Sequence, residues 1–299
     1  MAKYKHSLVA CARWEECDVV EWVEYHRSIG FEHIYFYSND DDWYPLYARL
    51  QPYLLGPRPF VTYTYHSRPG EQTTMYLHFL SNYKDETEWA CFLDIDEFIV
   101  LKQLNNISAF MEEFEGIYDC VYFNWLVYGH NGRIVRENRG VLQALNRRSS
   151  RINPLTKTIF HTRRITAELA KAGAEASGLP ITHFWNGYPA PLKMANVLGH
   201  DMHAYTNDFP RHAQDYLEKN NVNEEIIEKG YVAHFQFKSE EDFMRRVARG
   251  GFEAQNMYKE VFESGEYRNV LNALNEIEDS YLKLYWDMVL ANSIAHLEK

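Results

Sequence analysis

The chain of 299 residues carries 42 acidic and 31 basic side chains, so its formal net charge at pH 7 is −11. A protein that binds nucleic acid needs a broad basic surface for the phosphate backbone, and this charge balance argues against such a partner. The sequence has neither an apolar run of about 18 residues nor a charged and then apolar leader, so we expect a cytoplasmic protein without a transmembrane segment. Peripheral contact with the inner face of a membrane stays open.

The first hundred residues alternate strand-like and helix-like segments, which is the pattern of a βαβ sheet. Helical spacing is clear over 18–28, where Val19, Trp22 and Val23 share one face and Gly30 follows as a C-terminal cap. The alternation predicts an α/β fold. The predicted elements of this region are, in chain order, strand 7–12, helix 18–28, strand 33–37, helix 45–50, strand 60–65 and helix 71–83.

Beyond residue 100 the pattern is less regular. Residues 129–157 contain three glycines and many arginines and asparagines, so we predict a long loop that could serve as a lid. Ser239 and Asp242 match a capping box at the start of a basic helix. The predicted elements are helix 108–114, strand 120–128, helix 166–176, a turn-rich segment over 178–191, strand 231–238, helix 243–249 and a helical C-terminal segment.

The segment from Trp89 to Val100 is an apolar run that contains two aspartates separated by one residue. We interpret it as a buried strand, whose side chains alternate between the two faces. Asp94 and Asp96 would then share one face while Ile95 packs on the other. Carboxylates this close repel each other unless a positive charge lies between them, and Mg²⁺ or Mn²⁺ is well suited to oxygen ligands. A pair of solvated loop acids is the alternative interpretation.

Five blocks of the sequence, taken in order, carry the strongest functional signal. They are EWVEYHRSIGFEHIYFYSNDDD over 21–42, FLDIDEF over 92–98, NWLVYG over 124–129, RRSSRINPLTKTIF over 147–160 and AHFQFKSEEDFMRRVARG over 233–250. Together they resemble glycosyltransferase family 92 and the related bacterial family 2 glycosyltransferases. The departures are Tyr128 for a phenylalanine, Ala233 for an asparagine, Phe235 for a tyrosine, and weak agreement over 130–150. Five blocks in order are much harder to match by chance than one Asp-x-Asp triplet.

The resemblance implies a GT-A fold, which is a Rossmann-like α/β domain with a mixed, mostly parallel sheet flanked by helices. We predict this single domain over 1–255 and a C-terminal helical extension over 256–299. The resemblance also implies a hexosyltransferase that uses Mn²⁺ or Mg²⁺ and inverts the anomeric carbon. Its donor would be a nucleotide sugar linked to UDP, with galactose as the sugar that the family favours. Its acceptor would be a glycan or lipid-linked glycan of bacterial surface polysaccharide synthesis.

The resemblance implies roles for individual residues. Asp94 would face the metal and the ribose, Asp96 would hold the metal, and His234 would be a third metal ligand. A histidine that is hydrogen-bonded at a strand end is the alternative for His234. The residues expected to bind the nucleotide sugar are Glu15, Asn39, Asp42, Gln72, Asp94, Lys157 and Lys238. For Lys238, a basic group on a solvated surface is the alternative.

No motif identifies the catalytic base that an inverting transfer requires. Asp201 is our candidate from chain order in GT-A enzymes, and Asp208 and Glu137 compete with it. Two other function classes stay open at this stage. A nucleotidyltransferase or another metal-dependent phosphoryl-transfer enzyme also uses paired acids, although the sequence has no Gly-rich phosphate loop. A non-catalytic glycan-binding protein could use the aromatic side chains, which make up 15% of the chain.

Overall fold

A computed structural model describes residues 2–177, 183, 191–208, 213–250 and 257–297. The chain divides into two compact units. The first comprises Met1–Trp125 and Asn153–Val232, and the second comprises Leu126–Ile152 and Ala233–Lys299. The predicted boundary at 255/256, between a transferase domain and a helical extension, falls outside the described residues and stays a prediction.

Most of the predicted elements are present in the described residues, with their ends displaced by a few positions. The strands are β1 Tyr4–Ala12, β2 His33–Ser38, β3 Val61–Tyr65, β4 Thr87–Phe92, β5 Glu97–Val100, β6 Cys120–Val127, β7 Arg147–Arg148, β8 Asn153–His161, β9 Met194–Asn196, β10 Tyr231–His234 and β11 Ile277–Glu278. The α-helices are α1 Val19–Ser28, α2 Tyr44–Leu54, α3 Gln72–Asn82, α4 Ile107–Met111, α5 Val141–Ala144, α6 Ala167–Ser177, α7 His203–Asp208, α8 Ala213–Asn220, α9 Asn223–Lys229, α10 Glu240–Arg249, α11 Met257–Glu263, α12 Tyr267–Asn272 and α13 Tyr281–Leu297.

The parallel part of the main sheet has the strand order β3-β2-β1-β4. Strands covered on both faces are almost continuously apolar, and every residue of β2 is buried. The chain moves outward from β1 to β3 and then returns to place β4 on the other side of β1. The strand order therefore reverses between β1 and β4. Open α/β sheets bind ligands at such a reversal, outside the carboxyl ends of the strands.

Beyond β4 the sheet continues with β8, β6, β10 and β5, and β9 pairs with β6. β8 runs antiparallel to both β4 and β6, whereas β9 is parallel to β6. The predicted fold class, α/β with a mixed, mostly parallel sheet flanked by helices, is therefore confirmed. Within the described ranges, each helix is too short or too polar to cross a bilayer.

The prediction of one continuous strand from Trp89 to Val100 is wrong. β4 ends before the two aspartates, a turn follows, and β5 begins at Glu97. The Glu97 N–H donates to Asp94 O at 3.1 Å and closes the turn. The apolar pattern does not reveal this break, because Ile95 is buried in the turn as it would be in a strand. Alternation along a strand therefore does not place the two aspartate side chains.

The prediction of a continuous loop over 129–157 is wrong in part. α5 and β7 interrupt the segment, and β8 begins at Asn153. The sequence NPLTKT is largely polar and so did not indicate the start of this strand, although Lys157 within it is buried. The strand predicted over 231–238 is shorter than expected, because β10 ends at His234. β8 matters for function, since it brings the lysine to the end of β4.

The second unit contains α10 to α13 together with the antiparallel pair β7 and β11. Ser239 caps α10 as the capping-box pattern predicts, because its Oγ accepts the Asp242 N–H at 3.0 Å. Phe237, Phe243 and Leu271 form the buried centre of an apolar cluster in this unit. The cluster gives the unit a core of its own.

Candidate active site

Three loops lie at the carboxyl edge of the parallel strands in the first unit. They follow β1, β2 and β4, which are parallel neighbours, so their ends face the same edge of the sheet. The loops comprise residues 13–18, 39–43 and 93–96. Because this edge includes the reversal of strand order between β1 and β4, we place the candidate active site here.

A hydrogen bond between Trp14 and Asp40 joins the loops that follow β1 and β2. Trp14 has a φ of 61°, a left-handed conformation that is uncommon for residues other than glycine. Its N–H donates to Asp40 Oδ1 at 2.6 Å, and Ser38 Oγ donates to Asp40 Oδ2 at 3.2 Å. Burial raises the pKa of the Asp40 carboxyl, and the bond from Trp14 opposes that rise. The predicted site omitted Asp40, because three acids in a turn are normally solvated.

The predicted nucleotide contacts in these loops have structural duties. Glu15 O accepts two N–H groups at the start of α1, both at 3.1 Å. Asn39 is buried, and its N–H donates to the last residue of β1 at 3.2 Å. Asp42 Oδ1 accepts the first N–H of α2 at 3.0 Å. The structure brings the three residues to one edge of the sheet, and their contact with a nucleotide stays a prediction.

Asp94 is held through both of its carboxylate oxygens. Gln72 Nε2 donates to Oδ1 at 2.8 Å, and Lys157 Nζ donates to Oδ2 at 2.8 Å. Gln72 opens α3 and Lys157 lies in β8, so two separate elements orient the carboxylate. The Asp94 side chain is still 32% exposed. Gln72 therefore orients Asp94, and its own contact with the nucleotide stays a prediction.

Lys157 lies between two carboxylates in the interior of the first unit. Its side chain is 1% exposed, and Nζ is 2.8 Å from Asp94 Oδ2 and 3.2 Å from Glu97 Oε2. Burial lowers the pKa of Lys157, but the two carboxylates outweigh burial and raise the pKa above its ordinary value. The lysine is therefore a permanent positive charge beside Asp94.

Glu97 is a site residue that the sequence analysis missed. Its side chain is fully buried, and Oε2 accepts the Asp94 N–H at 3.0 Å while it also faces Lys157. Trp22 Nε1 donates to Glu97 O at 2.7 Å, so α1 anchors the residue. A signal for it exists in the sequence. An acid inside an apolar run is costly to bury without a cation, and the block around Lys157 contains one.

Asp96 completes the acidic turn and is 5% exposed. The carboxylate oxygens of Asp94 and Asp96 are hard ligands that suit Mg²⁺ or Mn²⁺. One ammonium group, that of Lys157, contacts two carboxylates, those of Asp94 and Glu97. The oxygen donors of the turn are of the type that suits such an ion. In the described residues, no three Asp, Glu, His or Cys side chains form a group that could hold a metal by themselves.

His234 and Lys238 lie in the second unit, whereas Asp94 and Asp96 belong to the first. Both His234 and Lys238 are buried. His234 O accepts the Tyr128 N–H at 2.9 Å, so the histidine backbone lies beside the end of the NWLVYG block. The role of His234 as a metal ligand and that of Lys238 as a donor contact stay predictions.

Asp201, the candidate base, is separated from β4 in the sheet by β8, β6 and β9. Register pairs lead from β4 to this residue through Cys91, Ile159, Val121, Ala195 and Asp201. Four strand spacings of about 4.8 Å correspond to about 19 Å along the sheet. Asp201 Oδ1 accepts the His203 N–H at 3.0 Å, and Oδ2 lies 2.7 Å from His203 Nδ1. The carboxylate thus caps α7, and its role as the base stays a prediction.

The two competing acids have other positions. Asp208 is the last residue of α7 in the first unit. Glu137 lies in the second unit, where its Oε2 is 3.0 Å from Arg133 Nη1. The roles of both as alternative bases stay predictions.

Comparison with known proteins identifies one family. The model of glycosyltransferase family 92 matches residues 9–170, which is more than half of the chain. No curated protein matches the chain in sequence.

Solved structures show weaker similarity. S. aureus TarS 1-349 is 15% identical over 59% of this chain and 50% of that chain, with a TM-score of 0.37. Its complex with UDP-GlcNAc is 16% identical over 59% and 48%, with a TM-score of 0.35. The 4-diphosphocytidyl-2C-methyl-D-erythritol synthase from Anaerococcus prevotii is 13% identical over 72% and 99%, with a TM-score of 0.37. The chain spans about half the length of the TarS structures that it matches.

Proposed function

The chain belongs to glycosyltransferase family 92, and from that premise we propose that it transfers a hexosyl group from a nucleoside diphosphate sugar to a glycan. The observation that carries the proposal is the acidic turn at the carboxyl end of β4, where Lys157 orients Asp94 beside the reversal of strand order. A diphosphate donor with its cation needs clustered carboxylates at this edge of a sheet. The site supplies them.

We propose that Asp94 and Asp96 hold Mn²⁺ or Mg²⁺, with His234 as a further ligand. The carboxylate oxygens of the turn support this proposal, because they are hard ligands of the kind that these ions prefer. When bound, such an ion stabilises the negative charge that grows on the departing diphosphate. Gln72 Nε2 donates to Asp94 Oδ1 at 2.8 Å, and this bond helps to fix the orientation of the carboxylate.

The loops after β1 and β2 are the proposed nucleotide site. Asn39, Asp42 and Glu15 lie at the carboxyl ends of these strands, and the bond between Trp14 and Asp40 holds the two loops together. We propose a UDP-linked donor, as the family resemblance implies, with galactose as the first sugar to test. Lys238 is a proposed contact of the phosphates. A few side chains of the cleft decide which sugar is accepted.

An inverting transfer needs a carboxylate that removes the proton from the acceptor hydroxyl. The hydroxyl oxygen then attacks the anomeric carbon while the bond from that carbon to the diphosphate breaks. Asp201 is the proposed base. We further propose a glycan or lipid-linked glycan acceptor in bacterial surface polysaccharide synthesis, at the cytoplasmic side and at the inner face of a membrane. These last points rest on the family resemblance.

A donor screen tests the proposal. Hydrolysis of UDP-, GDP- and CMP-sugars is measured with Mn²⁺, with EDTA, and with the Asp96→Asn variant. We expect release of UDP that needs Mn²⁺ and is lost in the variant. Asp85→Asn is the matched control, because Asp85 is an aspartate of the first unit whose side chain is 85% exposed.

Nucleoside triphosphates and glycans are added to the same screen, and two results would contradict the proposal. If a nucleoside triphosphate is consumed with release of diphosphate and no sugar donor is cleaved, the chain is a nucleotidyltransferase. If no donor is cleaved with any metal while glycans bind in EDTA, the chain is a glycan-binding protein.

A further inference from the structure

Lys157, Asp94 and Glu97 form a buried charge cluster, which we call the Lys157 triad. We propose that Lys157 and Glu97 are positioning residues: Lys157 is the internal counter-ion of Asp94, Glu97 holds the lysine and the turn, and together they set the charge that the site offers to a cation. The cation part of this inference rests on the proposed function, whereas the counter-ion part is testable without it. Lys157 thereby has a role other than the donor contact implied by the family resemblance.

The ammonium group of Lys157 contacts both carboxylates of the triad. Nζ contacts Asp94 Oδ2 at 2.8 Å and Glu97 Oε2 at 3.2 Å, and the side chain is 1% exposed. To reach a phosphate, the lysine would have to leave both carboxylates, and Glu97 is fully buried. Breaking a buried ion pair on one side leaves an uncompensated charge and is strongly unfavourable. A lysine that stays in place and orients Asp94 avoids this cost.

Glu97 is rigidly supported, as a positioning residue requires. Its Oε2 accepts the Asp94 N–H at 3.0 Å, so one carboxylate holds both the backbone of the turn and the lysine. Its own carbonyl accepts the Trp22 indole N–H at 2.7 Å, and Trp22 is buried in α1. The neighbouring strand β5 begins at the same residue. The turn is therefore anchored to a helix and a strand.

The charge of the cluster decides the direction of each substitution effect. The triad has two carboxylates, those of Asp94 and Glu97, and one ammonium group, so its formal charge is −1. Removal of the lysine changes this charge to −2, which attracts a divalent cation more strongly. Removal of the Glu97 charge changes it to 0, which attracts the cation less strongly. At an effective dielectric constant of about 20, one unit charge within the site changes cation affinity by about tenfold or more.

Calorimetric titration of the full chain with Mn²⁺ alone tests this direction. We expect Lys157→Met to bind Mn²⁺ about tenfold more tightly than the wild type and Glu97→Gln to bind it about tenfold more weakly. Lys157→Arg keeps the charge and should stay close to the wild type. Weaker binding in both Lys157→Met and Glu97→Gln would indicate that the triad serves folding alone. Either that result or equal affinity in all variants overturns the charge-setting role.

A double-mutant cycle without metal tests the counter-ion role by itself. In EDTA, Lys157→Met removes the cation that Asp94 and Glu97 contact and should lower the Tm. Glu97→Gln in the same chain removes one of these two carboxylate charges and should recover part of the loss. Purely additive decreases would overturn the counter-ion role. If the wild type binds no Mn²⁺, the metal part of the proposed function and the charge-setting role both fail, whereas this cycle still decides the counter-ion role.

Discussion

Asp94 and Asp96 belong to one turn but have different surroundings. Asp94 is partly exposed and shares its carboxylate with Gln72 and Lys157, whereas Asp96 is buried. A substitution at Asp94 also removes a partner from a buried lysine, so its effect on metal binding would be mixed with an effect on stability. Lys157 contacts Asp94 and Glu97, so Asp96→Asn keeps both carboxylate partners of the lysine.

Asp201→Asn separates a catalytic role of this carboxylate from its role in capping α7. The asparagine oxygen can still accept the His203 N–H, so the helix start is preserved. If Asp201 is the base, we expect kcat to fall by about 10²-fold or more, while Mn²⁺-dependent binding of UDP measured by calorimetry stays unchanged. Unchanged turnover would remove Asp201 from the mechanism.

His203→Gln is the matched control for that experiment, because Asp201 Oδ2 lies 2.7 Å from His203 Nδ1. A loss of turnover that is equal in both variants, together with a lower Tm, would assign the effect to the structure around α7. A loss confined to Asp201→Asn would assign it to the carboxylate.

Asp94 and Asp96 of the acidic turn were predictable from the sequence, but the lysine that contacts Asp94 was not. The Asp-x-Asp triplet marks Asp94 and Asp96 in the sequence, and repulsion between carboxylates requires a positive charge nearby. The structure supplies that charge from Lys157, which is 63 positions away from Asp94. The position of Lys157 beside Asp94 depends on the register between β8 and β4, and no local sequence pattern encodes such a pairing. Glu97 differs, because an acid inside an apolar run is itself a sequence signal of a buried charge pair.

At the scale of elements, the loops after β1 and β2 act as one structure. Trp14 keeps a left-handed backbone, which is unfavourable for a residue with a side chain, and Asp40 accepts its N–H at 2.6 Å. Arg13 Nη2 also contacts Asp41 Oδ1 at 3.1 Å. Local strain that surrounding contacts maintain is frequent at binding sites. This supports placing the nucleotide between these two loops.

Asp40→Asn should stabilise the chain in a pH-dependent way. Burial raises the folded-state pKa of Asp40 above its ordinary value of 3.8, so ionisation is less favourable in the folded protein than in the unfolded one. This penalty is absent at a pH below the unfolded-state pKa, grows as the pH rises above it, and is complete above the folded-state pKa. Asparagine keeps an oxygen for the Trp14 N–H and carries no charge. We expect the Tm of the variant, relative to the wild type, to rise by about 2 °C from about pH 3 to about pH 7.

Calorimetric scans of both proteins across this pH range give the comparison. Asp85→Asn is the control, because an exposed carboxylate should show little pH-dependent difference. A difference between Asp40→Asn and the wild type that shrinks as the pH rises would contradict the sign of the pKa shift.

Gly129→Ala should destabilise the second unit through a steric clash. A Cβ at this position would lie 2.8 Å from Leu274 O and would also meet the Asn275 side chain. The Gly129 N–H donates to Arg147 O at 2.8 Å, so the backbone cannot move away without losing this bond. We expect a loss of about 1–3 kcal/mol in the free energy of unfolding, measured by chemical denaturation.

A second variant separates the two clashing groups. Asn275→Ala removes the side-chain part of the clash, leaves the contact with Leu274 O, and also removes the acceptor of the Asn131 N–H. Measured against Asn275→Ala as the reference, Gly129→Ala should therefore cost less than in the wild type, but still more than zero. Equal stability of Gly129→Ala and the wild type would show that this segment has room to adjust.

Elements with strong periodicity were predictable, and breaks within apolar runs were not. Helical spacing and the glycine at position 30 predict α1 and its end. In the structure Gly30 takes a φ of 94°, as a glycine after a helix often does. The end of β4 did not follow, because the turn at Asp94 and the strand β5 are as buried as a continuous strand would be. The start of β8 was not predicted because its residues are largely polar. In both cases tertiary contacts determine where the strand begins or ends, and the pattern of buried residues alone does not.

At the scale of the whole molecule, the chain crosses between its two compact units more than once. The first unit takes residues from both sides of the segment 126–152, which belongs to the second unit with residues 233–299. The family match over 9–170 covers the end of β1, all of β2, β3 and β4, and the acidic turn, and the C-terminal part of the second unit lies beyond it. Sequence patterns predicted the α/β class correctly. They did not predict this division, because it depends on which distant segments pack together.

Thermal stability of the whole chain gives a test that needs no acceptor. A ligand that binds the folded state alone stabilises it by about 2.7 kcal/mol at 100 times its Kd. For a chain of this size, that corresponds to a rise of about 5–10 °C in Tm. We expect UDP with Mn²⁺ to produce such a rise, and we expect EDTA and Asp96→Asn to abolish it. A rise that persists in EDTA would mean that the nucleotide binds without the metal, so the acidic turn would then serve the Lys157 triad and no cation.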